Sequence, residues 1–204
     1  NEPFIAFHVS GGTTEAVLVK PDNEHIINAE IVASSSDLKA GQAIDRVGVM
    51  LSLNFPAGPE LEKLSEKSNA VFKIKPSMKN TDCSLSGVEN KCKKMLTENY
   101  EKSDIALFCI DSVIAALDGM YKALMPKYGA LPVVFSGGVT SNKRIKNYFH
   151  DKYNAVFAEP AFSADNAAGT AVLPLCMIGE NNAEYIGAER ITAQQIHQDE
   201  FRRR

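Results

Sequence analysis

Two glycine pairs follow short apolar runs, a placement suited to holding an anion. Gly11-Gly12 comes after Pro3–Val9, and Gly137-Gly138 comes after Pro132–Phe135. Lacking a Cβ, glycine lets backbone N–H groups turn toward a phosphate that a side chain would otherwise block. Around the first pair the hydroxyls of Ser10, Thr13 and Thr14 offer further donors, although a plain hairpin turn accounts for the same residues. The second pair stands where a strand gives way to a helix, at the carboxyl end where ligands of open sheets bind. Strand-to-helix geometry alone would also put glycines there. Asp45 lies in the helix opening with Ala40-Gly41-Gln42, where a carboxylate can hold ribose hydroxyls or a metal-bound water, or simply answer the helix dipole. Asp165, followed by Asn166, begins the last helix; it serves either as an N-terminal cap or as one hard oxygen donor to a metal that needs further ligands. The histidines His8, His25, His150 and His197 show no metal-binding spacing. The four cysteines form no Cys-x-x-Cys, so neither a zinc site nor a disulfide framework is indicated.

The elements that must position these groups follow from apolar periodicity. Pro3–Val9, Thr14–Val19 and His25–Ala33 alternate as strands and open the chain as an antiparallel trio. From Ala40 the spacing turns helical, with Ala43, Ile44, Val47, Val49, Met50 and Leu53 on one face, until the break at Pro56–Pro59. Pro59–Ser68 reads as a short helix and Val71–Ile74 as a weak strand. Helices follow over 87–99 and 103–127, the second apolar nearly all round and therefore a buried spine. Strand Pro132–Phe135, helix Ser141–Tyr153, strand Ala155–Ala158 and helix Ala164–Ile178 complete the order. Three strands followed by alternating helices and strands fit an α/β fold with a mixed sheet and helices packed on it. Each half of an actin-like ATPase or sugar kinase has this order.

With 204 residues, 45% hydrophobic, the chain can bury a substantial core. Its net charge of -3 gives no general attraction to nucleic acid, so a nucleic-acid contact would need a local basic patch or a partner chain. No apolar run approaches the roughly 20 residues of a membrane helix, and cysteine usage suits a reducing, cytoplasmic setting. Residues 1–178 are expected to form one domain and 179–204 a polar tail. Starting at Asn1 rather than Met, the chain reads as a piece of a longer protein.

Six stretches in this order resemble the threonylcarbamoyl transferase family of tRNA modification, whose older label is glycoprotease. They are His8-Val9-Ser10-Gly11-Gly12-Thr13-Thr14-Glu15, Gly41-Gln42-Ala43-Ile44-Asp45-Arg46, Phe55-Pro56-Ala57-Gly58-Pro59, Ser84-Leu85-Ser86-Gly87, Ser136-Gly137-Gly138-Val139-Thr140-Ser141-Asn142 and Ser163-Ala164-Asp165-Asn166-Ala167-Ala168. The resemblance covers about residues 3–178 and corresponds to the second half of that family. It implies an actin-like (ribonuclease H-like) domain with helices on both faces of the sheet. It also implies an adenylate site lined by His8, Val9, Ser10, Gly11, Gly12, Asp45, Gly58 and Asn142, with Thr13, Gly137 and Gly138 beside it. Asp165 would be one ligand of a divalent metal, iron or zinc; the family's other ligands form a His-x-x-x-His pair that this sequence does not contain. The implied reaction moves a threonylcarbamoyl group from its adenylate to the exocyclic amine of a tRNA adenosine, with accessory proteins assisting and tRNA engaged indirectly.

Four positions depart from the family pattern. Thr13 replaces a usual His or Asn, Gln42 a Glu, Glu89 a Lys and Ala164 a Thr. The charge reversal at Glu89 leaves open a second reading, a nucleotide-binding paralogue or partner subunit without catalysis. An actin-like small-molecule kinase is a third reading and a glycoprotease a fourth; for the last, the sequence offers neither a Ser-His-Asp set nor His-Glu-x-x-His.

Overall fold

The computed structural model describes residues 2–23 and 26–159. Strands β1 (Phe4–Val9), β2 (Thr14–Asp22) and β3 (Ile26–Ser34) form the expected antiparallel run. Two further strands, β6 (Val133–Ser136) and β7 (Val156–Phe157), join in parallel beyond β1, so the mixed sheet is ordered β3-β2-β1-β6-β7. Alternation decides which side faces the core: Ile5, Phe7 and Val9 of β1, with Ala16 and Leu18 of β2, are buried while their neighbours are only partly covered. Phe135 of β6 stacks on Phe7 at 4.9 Å and on Phe157 at 5.1 Å, and also meets Phe149 at 4.6 Å. This column of rings joins three strands to α5 (Lys143–Tyr153).

Helix α1 (Ala40–Met50) follows the sheet, then α2 (Gly58–Ser65) with proline in its first turn, where a missing N–H costs nothing. After the hairpin of β4 (Ser77–Lys79) and β5 (Asp82–Ser84) come α3 (Ser86–Thr97) and the spine α4 (Lys102–Tyr128). As its composition requires, α4 is buried on several sides, including Ile105, Ile110, Leu117 and Leu124. The helix expected over Ala164–Ile178 lies outside the described residues.

Three expectations about elements are corrected. Val49 is 61% exposed rather than on the buried face of α1. At about 100° per residue it sits nearly opposite Val47 and Ile44, which do face the core. Val71–Ile74 forms no ladder; the strands lie at β4 and β5, whose turn uses Asn80 at φ 56, a left-handed conformation that asparagine tolerates. Leu53 packs against the core from beyond the end of α1.

Two carboxylates fasten the helical layer. Asp118, 6% exposed, accepts hydrogen bonds from Tyr153 Oη at 2.6 Å, Lys152 Nζ at 2.9 Å and Lys122 Nζ at 2.7 Å, tying α4 to α5. Asp37 accepts from the Ser84 and Ser86 hydroxyls, both at 2.6 Å, and from the Leu38 and Leu85 amides. Burial opposes ionisation at both, but the donors outweigh it and hold each carboxyl below its ordinary value. Because the folded values are depressed, both contribute stability above the unfolded carboxylate pKa of about 3.9 and lose it as pH falls through the folded values. Thermal melts should therefore show the midpoint dropping below about pH 4, with a shallower acid limb for Asp118→Asn. An unchanged acid limb in that variant would remove Asp118 from this role. Cys83, Cys92 and Cys109 are buried and unpaired, and burial pushes the Cys83 thiol up to about 11, away from nucleophilic use. Among the described residues no helix is long and apolar enough to cross a membrane.

Candidate functional site

The turn between β1 and β2 is fixed from inside. Ser10 N–H donates to Thr13 O at 2.8 Å, and the Ser10 hydroxyl accepts the amides of Gly12 (3.3 Å) and Thr13 (3.1 Å). Thr14 Oγ1 accepts the Ala40 amide at 2.8 Å and donates to Thr13 O, which makes it the seat of the α1 N-terminus. For Thr14 the expectation of a hydroxyl facing a phosphate is corrected: it is buried and its hydroxyl both accepts from and donates to backbone groups, whereas Ser10 uses its hydroxyl oxygen as an acceptor and keeps the O–H as a donor. Gly41 completes the clamp. Its N–H donates to Ser10 O at 3.1 Å, and a Cβ there would stand 2.7 Å from Gly11 N and Cα. Gly41→Ala should push the turn off the helix and cost about 1–3 kcal/mol, as overpacking does, measurable by denaturant melts; an unchanged melt would show that the turn is not braced by α1.

Asp45 stands in the second turn of α1, beyond the reach of the helix-end dipole. Its Oδ1 accepts the Ala57 amide at 2.8 Å. Gly48, one turn on, leaves the space that the Ala57 side chain fills. These two contacts hold the loop Phe55–Ala57, in which the Phe55–Pro56 bond is cis, against α1. On the far side, β6 ends at Ser136 and runs into Gly137, which has φ 98 and packs on the Val9 carbonyl. The chain then makes a tight 3-10 turn, Gly138–Ser141, before α5. Asn142 caps α5, its Oδ1 accepting the amides of Arg144 (3.0 Å) and Ile145 (3.1 Å), while Glu62 of α2 accepts the Lys143 amide at 2.7 Å. Capping uses the Asn142 oxygen and leaves its NH₂ group as the half with a donor to offer.

These pieces enclose one cavity of about 320 Å³, at the small end of the roughly 300–1,000 Å³ range of small-molecule sites. Gly11, Asp45, Gly58, Gly138 and Asn142 all line it, over an apolar bed that includes Ile44, Leu61 and Ile110. Three of its lining glycines have no internal reason to be glycine. Among the described residues, a Cβ at Gly11, Gly58 or Gly138 would meet no atom within 4 Å, and none of the three has φ in the left-handed region. The other expected residues do not line it: Val9 is fully buried, His8 Nδ1 lies 3.1 Å from Ser136 Oγ, and Ser10, Gly12, Thr13 and Gly137 shape the turns. Asp165 lies outside the described residues. Sequence reasoning overlooked Glu62 and Ile110 as lining residues; only the phase of α2 and α4 against α1 could have revealed them, and periodicity does not carry that. A larger groove of about 970 Å³ lies across Glu62 and contains none of the motif glycines.

A family model described as tRNA N6-adenosine threonylcarbamoyltransferase matches residues 1–172. The enzyme of that name from Kosmotoga olearia is 31% identical over 181 residues, covering 84% of this chain and 54% of that protein. Its counterpart from Dictyoglomus turgidum is 32% identical over 159 residues, covering 74% and 46%. The chain thus spans about half the length of the curated relatives it matches. Among solved structures, the activator of 2-hydroxyisocaproyl-CoA dehydratase from Clostridium difficile with bound ADPNP aligns at TM-score 0.53 and 17% identity, over 93% of this chain and 65% of that one. Component A of the Acidaminococcus fermentans (R)-2-hydroxyglutaryl-CoA dehydratase aligns at TM-score 0.54 and 17% identity, over 83% and 60%. At that identity these structures speak to the fold alone, which is actin-like. The chain belongs to the tRNA N6-adenosine threonylcarbamoyltransferase family.

Proposed function

We propose that this chain is the second, nucleotide-binding half of an enzyme that transfers a threonylcarbamoyl group from its adenylate to the exocyclic amine of a tRNA adenosine. In this reading the adenylate sits in the cavity between α1, α2 and the 3-10 turn. The amine attacks the carbamoyl carbon and AMP leaves. The observation that carries the reading is the convergence of Gly11, Asp45, Gly58, Gly138 and Asn142 on one cavity, from five separate points along the chain. Asp45 would accept hydrogen bonds from ribose hydroxyls, since a carboxylate is an acceptor on both oxygens. The Asn142 NH₂ would donate to the ligand, Gly11 would let the turn approach the phosphate, and Ile44 and Ile110 would face the apolar base.

Asp165 is proposed, from the family resemblance, as one ligand of a divalent iron or zinc. Among the described residues no group of three or more His, Cys, Asp or Glu side chains could hold an ion. They do not by themselves fit a metal. The net charge of -3 gives no general attraction to tRNA; in this reading accessory proteins bring it to the site, in the cytoplasm.

One observation speaks for a nucleotide-binding paralogue without catalysis. Glu89 on α3 pairs with Arg46 on α1 at 2.9 Å, next to Asp45. A lysine at 89, the residue the family resemblance implies there, would meet Arg46 with repulsion, so Glu89 reverses the charge that faces Arg46 beside the site.

The open glycines separate binding from folding. Gly11→Ala and Gly58→Ala should leave the melting temperature within about a degree, because the added methyls meet no atom of the described residues. Both should weaken AMP binding several-fold, about 1 kcal/mol. AMP affinity unchanged in both would place the nucleotide elsewhere.

A further inference from the structure

Between α2 and β4 the side chains alternate strictly. From Ala70 to Lys79, residues at even positions are partly buried and those at odd positions exposed. This two-residue period is that of an extended strand. The inner row is anchored: Phe72 meets Phe108 edge-on at 5.3 Å, and Gly119 of α4 makes room for Pro76 and Met78. Ser77–Lys79 finds a ladder partner in β5, but Val71–Pro76 pairs with no strand, and its backbone groups make no hydrogen bond among the described residues. The segment also walls the 970 Å³ groove, with Phe72 and Ile74 on its side and Arg144 and Tyr148 of α5 opposite. In that groove Asp111 is taken up by Arg144, and Asp118 by Lys122 and Lys152.

An extended, side-chain-anchored stretch with unspent backbone donors and acceptors is what strand addition uses: the main chain supplies affinity and alternate side chains supply selectivity. The outer row settles the occupant. Val71 is 92% exposed, and Lys73 and Lys75 follow it on the same face. Cross-strand neighbours share a face, so a second copy pairing here would oppose lysine to lysine, which is unfavourable. Edge lysines are a common guard against such self-pairing. A strand with carboxylates opposite Lys73 and Lys75, and apolar residues between them, meets both rows. Pro76, without an N–H, ends the edge.

We propose that Val71–Lys75 is a docking edge for one extended segment of a partner polypeptide in which acidic and apolar residues alternate. The acidic residues face Lys73 and Lys75, and the apolar ones enter the groove beside Phe72 and Ile74. This assignment does not depend on what the smaller cavity binds.

The test is amide hydrogen exchange of the 204-residue chain with two synthetic hexapeptides at millimolar concentration, one alternating Val and Glu, the other Val and Lys. The expected result is that the Val/Glu peptide slows alternate amides of Val71–Lys75 by about tenfold, as pairing does. The Val/Lys peptide should leave them unchanged. In the Lys73→Glu/Lys75→Glu variant, whose changes lie on exposed positions, the preference should invert. No slowing by either peptide, equal slowing by both, or no inversion in the variant would overturn the proposal. Amides already protected in the free chain would overturn it too, because another part of the chain would then occupy the edge.

Discussion

Gly137→Ala is expected to cost the fold about 4 kcal/mol, combining a left-handed φ imposed on a Cβ residue (about 1–3 kcal/mol) with overpacking (about 1–3 kcal/mol). At φ 98, alanine is strained wherever its side chain goes, and here the Cβ would overlap the Val9 carbonyl. That carbonyl belongs to β1, a central strand of the sheet, and cannot yield without disturbing its pairing with β2 and β6. The same residue launches the 3-10 turn, with Thr140 donating to the Gly137 carbonyl through both its amide and its hydroxyl. The melting temperature should fall by roughly 10 °C for a chain of this size. Gly138→Ala is the matched control, since a Cβ there meets nothing within 4 Å among the described residues. If the two variants melt together, the turn is not held by the Val9–Gly137 contact.

The second large effect concerns Asp45 and falls on binding. Asp45→Ala removes both the acceptor for the Ala57 amide and the charge; Asp45→Asn keeps an acceptor for that amide and removes only the charge. Losing the Ala57 bond should cost stability about 1 kcal/mol, so Asp45→Ala should melt earlier than Asp45→Asn. If the carboxylate also holds ribose hydroxyls, both variants should lose adenylate affinity by one to two orders of magnitude, because hydrogen bonds to a charged group are worth about 1.5–3 kcal/mol. Stability and affinity measured on the same two proteins separate the roles. An Asp45→Asn variant that binds as the parent does would leave Asp45 only as a clamp for the Phe55–Ala57 loop.

Much of the scaffold is legible in the sequence because its elements carry clean periods. The alternation in Phe4–Val9 and Thr14–Val19 marks both strands and their buried sides, and the apolar density of Lys102–Tyr128 marks the spine. The β4–β5 hairpin escapes because each strand is three residues long and Asn80-Thr81 lacks glycine. Val71–Ile74 misleads in the opposite way: its alternation is real, yet no neighbouring strand takes up its backbone. At the cavity, Asp45, Gly58 and Asn142 come together as the motif order implies, while composition around each would have allowed a cap or a turn. Asn142 is in fact a cap, with half its amide left over. A hydroxyl beside glycines suits a phosphate or a turn equally, and for Thr14 the partner is the Ala40 amide brought near by the packing of α1, which no local pattern encodes.

Isothermal titration calorimetry of the chain with AMP, ATP and a stable threonylcarbamoyl-adenylate analogue tests the adenylate site most directly, with Asp45→Asn and Asn142→Asp as comparisons. Asn142→Asp keeps the capping oxygen of α5 and removes the NH₂ donor, so it should stay folded. The account predicts binding by the parent chain, tightest for the analogue, and at least about tenfold weaker binding in each variant, roughly 1.4 kcal/mol. Binding of the same strength in both folded variants, or none by the folded parent, would contradict an adenylate site in this cavity.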